Sequence, residues 1–138
     1  MLDRFLSSIQ FQGQALQLRA DRQKVLAGNI ANADTPGFKS RDFDFAKVLQ
    51  TATSGAVEPG RMAAVSTQAG HLPVGAASSN PLDPKLLYRQ PEQASIDGNT
   101  VELDRERANF ADNSVRYEAT LRFINGGVRT MLSAIRGE

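Results

Sequence analysis

Two apolar stripes, one at each end of the chain, limit what it can fold into. Steps of four then three residues from Leu2 fall on Leu2, Leu6, Ile9, Gly13, Leu16, Ala20, Gln23, Ala27 and Ile30, and seven of these nine are apolar. The same stepping from Leu103 falls on Leu103, Arg107, Phe110, Ser114, Tyr117, Leu121, Ile124, Val128, Met131 and Ile135, eight of ten apolar. Alternating threes and fours mark the seam of a coiled coil. The chain is therefore expected to be mainly α, with long N- and C-terminal helices paired as an antiparallel or near-antiparallel coiled coil. The seam is read as Leu2, Leu6, Ile9, Leu16 and Ile30 against Phe110, Tyr117, Leu121, Ile124, Val128, Met131 and Ile135.

The first helix carries more than a seam. Phe11, Leu18 and Val25 recur every seven residues on the side opposite it, and Phe5 and Leu26 widen the apolar surface. A helix that is apolar on more than one side is buried on more than one side. Phe11, Leu18 and Val25 are accordingly read as an intersubunit face. A two-helix pair is short of core for its length, because ordering so many residues opposes folding. Contact with further subunits remedies the shortage, so the termini are expected to be loosely ordered in a free subunit and to order on assembly.

Between the stripes the signals change. The first helix stops at Asn32-Ala33-Asp34-Thr35-Pro36-Gly37-Phe38. Proline forces the preceding Thr35 out of the helical region, and Pro36-Gly37 suits the two central positions of a type II turn. Phe38, Phe43 and Phe45 are placed to pin the next segment to the helices, and Asp42–Leu49 is predicted to form a short helix capped by Asp42 or Asp44. From about Thr51 to Pro84 the chain is rich in Ala, Gly, Ser, Thr and Pro, a composition that buries too little to order itself. Short extended pieces are expected at Met62–Val65 and Leu86–Tyr88, and Asp97-Gly98 as a turn closing a small hairpin. Asn99 with Glu102 resembles a capping box opening the second helix, and Gly126-Gly127 marks a bend or close contact within it. The organisation expected is 1–34 as N-terminal helix, 35–100 as turn motif with irregular and minor β structure, and 101–138 as C-terminal helix, together one discontinuous coiled-coil domain.

Chemistry is hard to place on this chain. It has 138 residues, one histidine, no cysteine and a net charge of +1. His71 alone supports neither a zinc site nor a catalytic triad. Gly55–Gly60 has the glycine spacing of a phosphate loop but runs into Arg61-Met62 instead of Lys-Ser/Thr. Glu102, Asp104 and Glu106 diverge around a helix and form no acid–base pair. The near-neutral charge gives no reason to expect nucleic acid. No apolar run approaches the ~18 residues that span a bilayer, and the opening residues lack the apolar core of a secretory signal. No catalytic residue, cofactor, metal or small-molecule substrate is expected.

The stretch Ala27-Gly-Asn29-Ile-Ala-Asn32-Ala-Asp-Thr35-Pro36-Gly37-Phe38-Lys39 resembles the signature of the bacterial flagellar axial proteins, the rod and hook family. In that family an N-terminal helix ends in an Asn-x-x-Asn-x-x-Thr-x-Gly-aromatic turn. Further pieces are similar to it: Arg41-Asp-Phe-Asp-Phe45, Ser66-Thr-Gln with His71-Leu-Pro, and 97–106 with Asn113-Ser-Val-Arg-Tyr117. The resemblance implies a structural subunit of the basal-body rod that crosses the periplasm. It implies assembly into a helical tube, with self-neighbours, that transmits torque and through which export occurs. The subunit would travel unfolded through the flagellar type III export apparatus without a cleaved signal peptide. Implied partners are other flagellar rod proteins, the adaptor protein FliE, the MS ring and the flagellar export gate. Asn29, Asn32, Thr35, Pro36, Gly37 and Phe38 would form the bend where the inner helix turns outward. The rival reading of the stripes is a soluble helical adaptor or export chaperone that captures a partner helix.

Overall fold

The computed structural model describes residues 2–54, 82–93 and 95–137. In chain order these form helix α1 (Leu2–Ala31), strand β1 (Arg41–Asp42), helix α2 (Phe45–Ser54), strand β2 (Leu87–Tyr88) and helix α3 (Leu103–Arg136). At 1.5 Å per residue the 30 residues of α1 and the 34 of α3 are rods of about 45 and 50 Å. The two rods pack lengthwise, and a short two-stranded sheet lies between them in sequence, as the stripes predict. Their contacts run in opposite directions. Asn29 meets Glu106, Gln23 meets Asn113 and Ser114, and Phe5 lies against Gly127.

The first helix ends as its sequence dictates. Asn32 Nδ2 reaches back to the Gly28 carbonyl (2.8 Å), and the N–H groups of Asn32 and Ala33 tighten the last turn onto Asn29 and Ile30. Pro36 and Gly37 then occupy the centre of a four-residue turn. The Phe38 N–H donates to the Thr35 carbonyl at 3.2 Å, and Gly37 sits at φ 73°, where a side chain would be strained. Beyond the turn, β1 pairs antiparallel with β2, with Arg41 opposite Tyr88 and Asp42 opposite Leu87.

Three local expectations change. The short helix begins at Phe45 with Asp44 as its cap, Oδ1 accepting from the Lys47 N–H at 3.1 Å. It runs on to Ser54, because the hydroxyls of Thr51 and Thr53 satisfy themselves on the carbonyls of Lys47 and Leu49 and stay compatible with helix. The irregular segment therefore does not start at Thr51. Asp97-Gly98 makes a turn, with the Gly98 N–H on the Ser95 carbonyl (3.2 Å), yet it closes no hairpin, since the strand pair is β1 with β2. Asn99 does not cap α3; Glu102 holds that position without a side-chain cap. The remaining calls on the middle of the chain, Met62–Val65, His71 and Gly55–Gly60, lie outside the described residues.

Candidate assembly surface and the clamp behind it

The bend that follows α1 is held by a segment sixty residues later. Asn99 is buried, and its Nδ2 donates to the carbonyls of Asn32 (3.1 Å), Ala33 (2.6 Å) and Thr35 (3.0 Å). Its Oδ1 accepts from the Val101 N–H at 2.8 Å. One amide thus terminates α1 and starts the approach to α3. The next residues continue the clamp. Gly37 N–H donates to the Asp97 carbonyl, Thr100 N–H to the Phe38 carbonyl, and the buried Ser40 bonds Thr100 through both its N–H (2.8 Å) and its hydroxyl (3.0 Å). On the far side, the Arg89 N–H donates to the Ser40 carbonyl at 3.0 Å.

Below the clamp four charges alternate in sign. Arg22 of α1 grips Asp42 with Nε (3.2 Å) and Nη2 (2.9 Å). Arg89 bridges Asp42 and Glu106, donating to Glu106 Oε1 at 2.7 Å. Asn29 Nδ2 donates to the other Glu106 oxygen (3.1 Å) and to the Arg41 carbonyl (2.8 Å). Glu106 is 1% exposed, and these donors give its buried carboxylate the partners that burial requires. The hydrogen bond to Asp42 holds the Arg22 guanidinium above its ordinary pKa. Burial, with Arg116 nearby, lowers that of Arg19, which stacks over the Phe45 ring at 4.8 Å. Among the described residues no cluster of histidine, cysteine and carboxylate side chains could hold a metal. The arrangement can fix geometry.

Large apolar side chains stand exposed among the charged ones along α3. Val115, Phe123, Val128, Leu132 and Ile135 are exposed, as are Leu6 and Phe11 on α1. A groove of about 430 Å³ opens along the α1–α3 junction between Ala20, Ala27, Phe110 and Tyr117.

Several seam and face residues fall elsewhere than the stripes place them. Leu18, read as an intersubunit contact, is wholly buried inside the subunit with Ala15 and Leu26. The reason is that α2 and β1 cover the second apolar side of α1. Val25 is half-buried and faces this chain's own return segment, lining a recess with Leu82, Pro84 and Leu86. Phe11 alone of the three remains exposed, at 43%. In the seam, Ile9, Leu16, Ile30, Phe110, Tyr117, Leu121, Ile124 and Met131 are half-buried. Leu6, Val128 and Ile135 are exposed, and the side chain of Leu2 lies outside the described residues. On α3 the buried column is Glu106, Asn113 and Thr120, continued by Gly127 against the Phe5 ring (3.7 Å). It sits one residue before the expected Arg107, Ser114, Leu121 and Val128. Counting apolar letters misses it because its members are polar or small. In the turn motif Asn29 is buried, Asn32 and Phe38 are half-buried, and Thr35, Pro36 and Gly37 are exposed.

Nothing in the spacing of Arg22 and Arg89 announces them, and their partners are 17 to 47 residues away. Asn99, expected as a cap of α3, instead holds the end of α1 across 64 to 67 residues. The seven-residue spacing of Glu106, Asn113 and Thr120 is the one signal that was available.

Residues 9–39 match the family described as flagella basal body rod protein. The chain is 48% identical to the flagellar basal body rod protein FlgB of Salmonella typhimurium LT2 over 99% of both chains. It is 44% identical to FlgB of Escherichia coli K12, covering 99% of this chain and 98% of that one. To FlgB of Cereibacter sphaeroides it is 37% identical, covering 97% and 98%.

Proposed function

The chain belongs to the FlgB family of flagellar basal body rod proteins and is a structural rod subunit, and we propose that it works as one stave of a helical tube. In this reading the paired α1 and α3 lie along the tube, and the bend at Asn29, Asn32, Thr35, Pro36, Gly37 and Phe38 turns the chain outward. The tube transmits torque and leaves a passage for export. The subunit itself travels through the flagellar export gate without a cleaved signal, and its neighbours are other rod proteins, the adaptor FliE and the MS ring. Among the described residues no helix is long and apolar enough to cross a membrane, so contact with the ring would be made through protein surface.

The supporting observation is the number of large apolar side chains that α3 leaves exposed. Val115, Phe123 and Ile135, which point to different sides of the helix, are each about 70% exposed in the lone subunit. Neighbours that cover the Phe123 flank with a different part of their own surface make a heterologous contact, which propagates as a helix. A Phe123→Asp variant tests the reading. It is expected to keep the helical content of the purified subunit and to remain exportable, while motility and rod assembly are lost. Wild-type swimming by that variant overturns the assignment of this flank to rod contacts.

A further inference from the structure

Apolar side chains recur at seven-residue steps on both helices, Phe110, Tyr117, Ile124 and Met131 on α3 and Ile9, Leu16 and Ile30 on α1, where Gln23 takes the place between Leu16 and Ile30. Layers with that period present the same face after a slide of one heptad, about 10 Å along the axis. Apolar contact by itself leaves the alignment of the two helices nearly degenerate. Two polar clusters in the same interface break that degeneracy. Asn113, 2% exposed, donates to the Arg19 carbonyl (2.9 Å) and to Gln23 Oε1, while Gln23 Nε2 donates to Ser114 Oγ (2.7 Å). Nearer the bend, Glu106 accepts from Asn29 (3.1 Å) and Arg89 (2.7 Å).

We infer that these two clusters are a register key, selecting one axial alignment of the hairpin from the set that the apolar layers allow. A slide of seven residues carries Asn113 from Gln23 toward Leu16 in one direction or Ile30 in the other, where neither side chain offers a partner; the slide toward Leu16 sets Glu106 opposite Arg22, so there Asn113 alone opposes it. A buried polar group left without a partner destabilises the slipped state, more so if charged. The native state does not depend on the key for its stability. Exchanging a buried ion pair for apolar side chains of similar size is often neutral or favourable. A polar residue at one core position sets alignment in coiled coils by the same logic. Asn29 and Arg89 also tie the key to the bend and to the return strand, so choosing the register also fixes where the turn stands.

The chain has no cysteine, so spin labels attach only where thiols are introduced. Gln10 and Ala111 are exposed sites on the two helices. The test variant combines Gln23→Leu, Arg89→Met, Glu106→Met and Asn113→Leu. It removes both members of the Asn113–Gln23 and Glu106–Arg89 bonds, takes out one cation with one anion, and leaves Asp42 with Arg22, Asn29 with the Arg41 backbone and Ser114 with the Phe110 carbonyl. With labels at Gln10→Cys and Ala111→Cys, pulsed dipolar spectroscopy is expected to give one narrow distance for the native key. For the variant it gives a second population displaced by about 10 Å, with helicity retained. The same single narrow distance in a helical variant overturns the inference. Loss of helicity also overturns it, since the clusters would then hold the helices together instead of choosing between alignments.

Discussion

Asn99 shows how much of this bend rests on one side chain. Its amide donates to three carbonyls, those of Asn32, Ala33 and Thr35, at the end of α1. A helix end leaves such acceptors without intrahelical partners, and burial keeps water from replacing them. Asn99→Ala is expected to cost about 1–3 kcal/mol, read as a lower urea midpoint at unchanged m-value. Asn99→Asp is a sharper probe: it keeps the acceptor for Val101 but turns the donor into a negative oxygen facing three carbonyls, so it should destabilise more than alanine does. If alanine is neutral, the clamp does not terminate α1. Gly37 contributes differently. At φ 73° it carries the turn through a conformation that costs a residue with Cβ roughly 1–2 kcal/mol, and no neighbouring atom crowds it. Gly37→Ala therefore reports backbone strain alone.

At the scale of elements, the lead-in to α3 is an acid-sensitive joint. Glu102 sits at the start of the helix and accepts from the Glu92 N–H (2.6 Å) and from Arg105 (3.1 Å). Asp97 accepts from the Ser95 hydroxyl and the Asn99 N–H. These bonds favour the ionised forms and hold both carboxyls below their usual range, the Glu92 N–H chiefly for Glu102 and the Ser95 hydroxyl chiefly for Asp97. A depressed carboxyl pKa adds stability above the unfolded value, near 4, and that stability is lost as pH falls through the folded value. Amide-exchange protection at Glu92 and Asn99 should thus be retained at neutral pH and fall selectively in acid. Glu102→Gln with Asp97→Asn should flatten that dependence. Unchanged protection at low pH would show that backbone packing alone holds the joint. The elements themselves were legible from sequence: both long helices, the Pro36-Gly37 turn, the Asp44 cap and a strand near Leu87. Periodicity and turn chemistry are local, so one chain suffices to read them. The buried column Glu106–Asn113–Thr120 and the reach of Arg89 were not legible, because a polar residue's burial depends on donors supplied from far along the chain. Leu18 was misplaced for the same reason: the seven-residue spacing identified it as apolar, and only the return of α2 onto α1 decides which side it faces.

For the whole molecule, the division of apolar side chains between inside and outside is the main physical fact. Among the described residues only Ala15, Leu18, Leu26 and Phe43 are apolar and buried, whereas the exposed large ones lie on both rods and, as Leu86, Leu87, Tyr88 and Ile96, on the return segment. Such a subunit leaves many of its large apolar side chains uncovered, which supports the proposed packing of neighbours in the rod. Two truncations of similar chemistry separate the two roles. Leu26, 0% exposed, should cost about 2–5 kcal/mol on conversion to alanine, because neighbours from two sides cannot collapse into the space. That loss appears in the thermal unfolding of the isolated subunit. Ile135, 71% exposed, should change the isolated subunit by no more than about 0.5 kcal/mol in either direction. Its cost should appear as fewer completed rods in purified basal bodies and slower swimming at equal export. If Ile135→Ala swims and assembles like the parent, the end of α3 is solvated in the finished rod. If it instead lowers the melting temperature of the free subunit as Leu26→Ala does, that end is already covered by its own chain, and the supply of apolar surface for neighbours must lie elsewhere along Val115–Leu132.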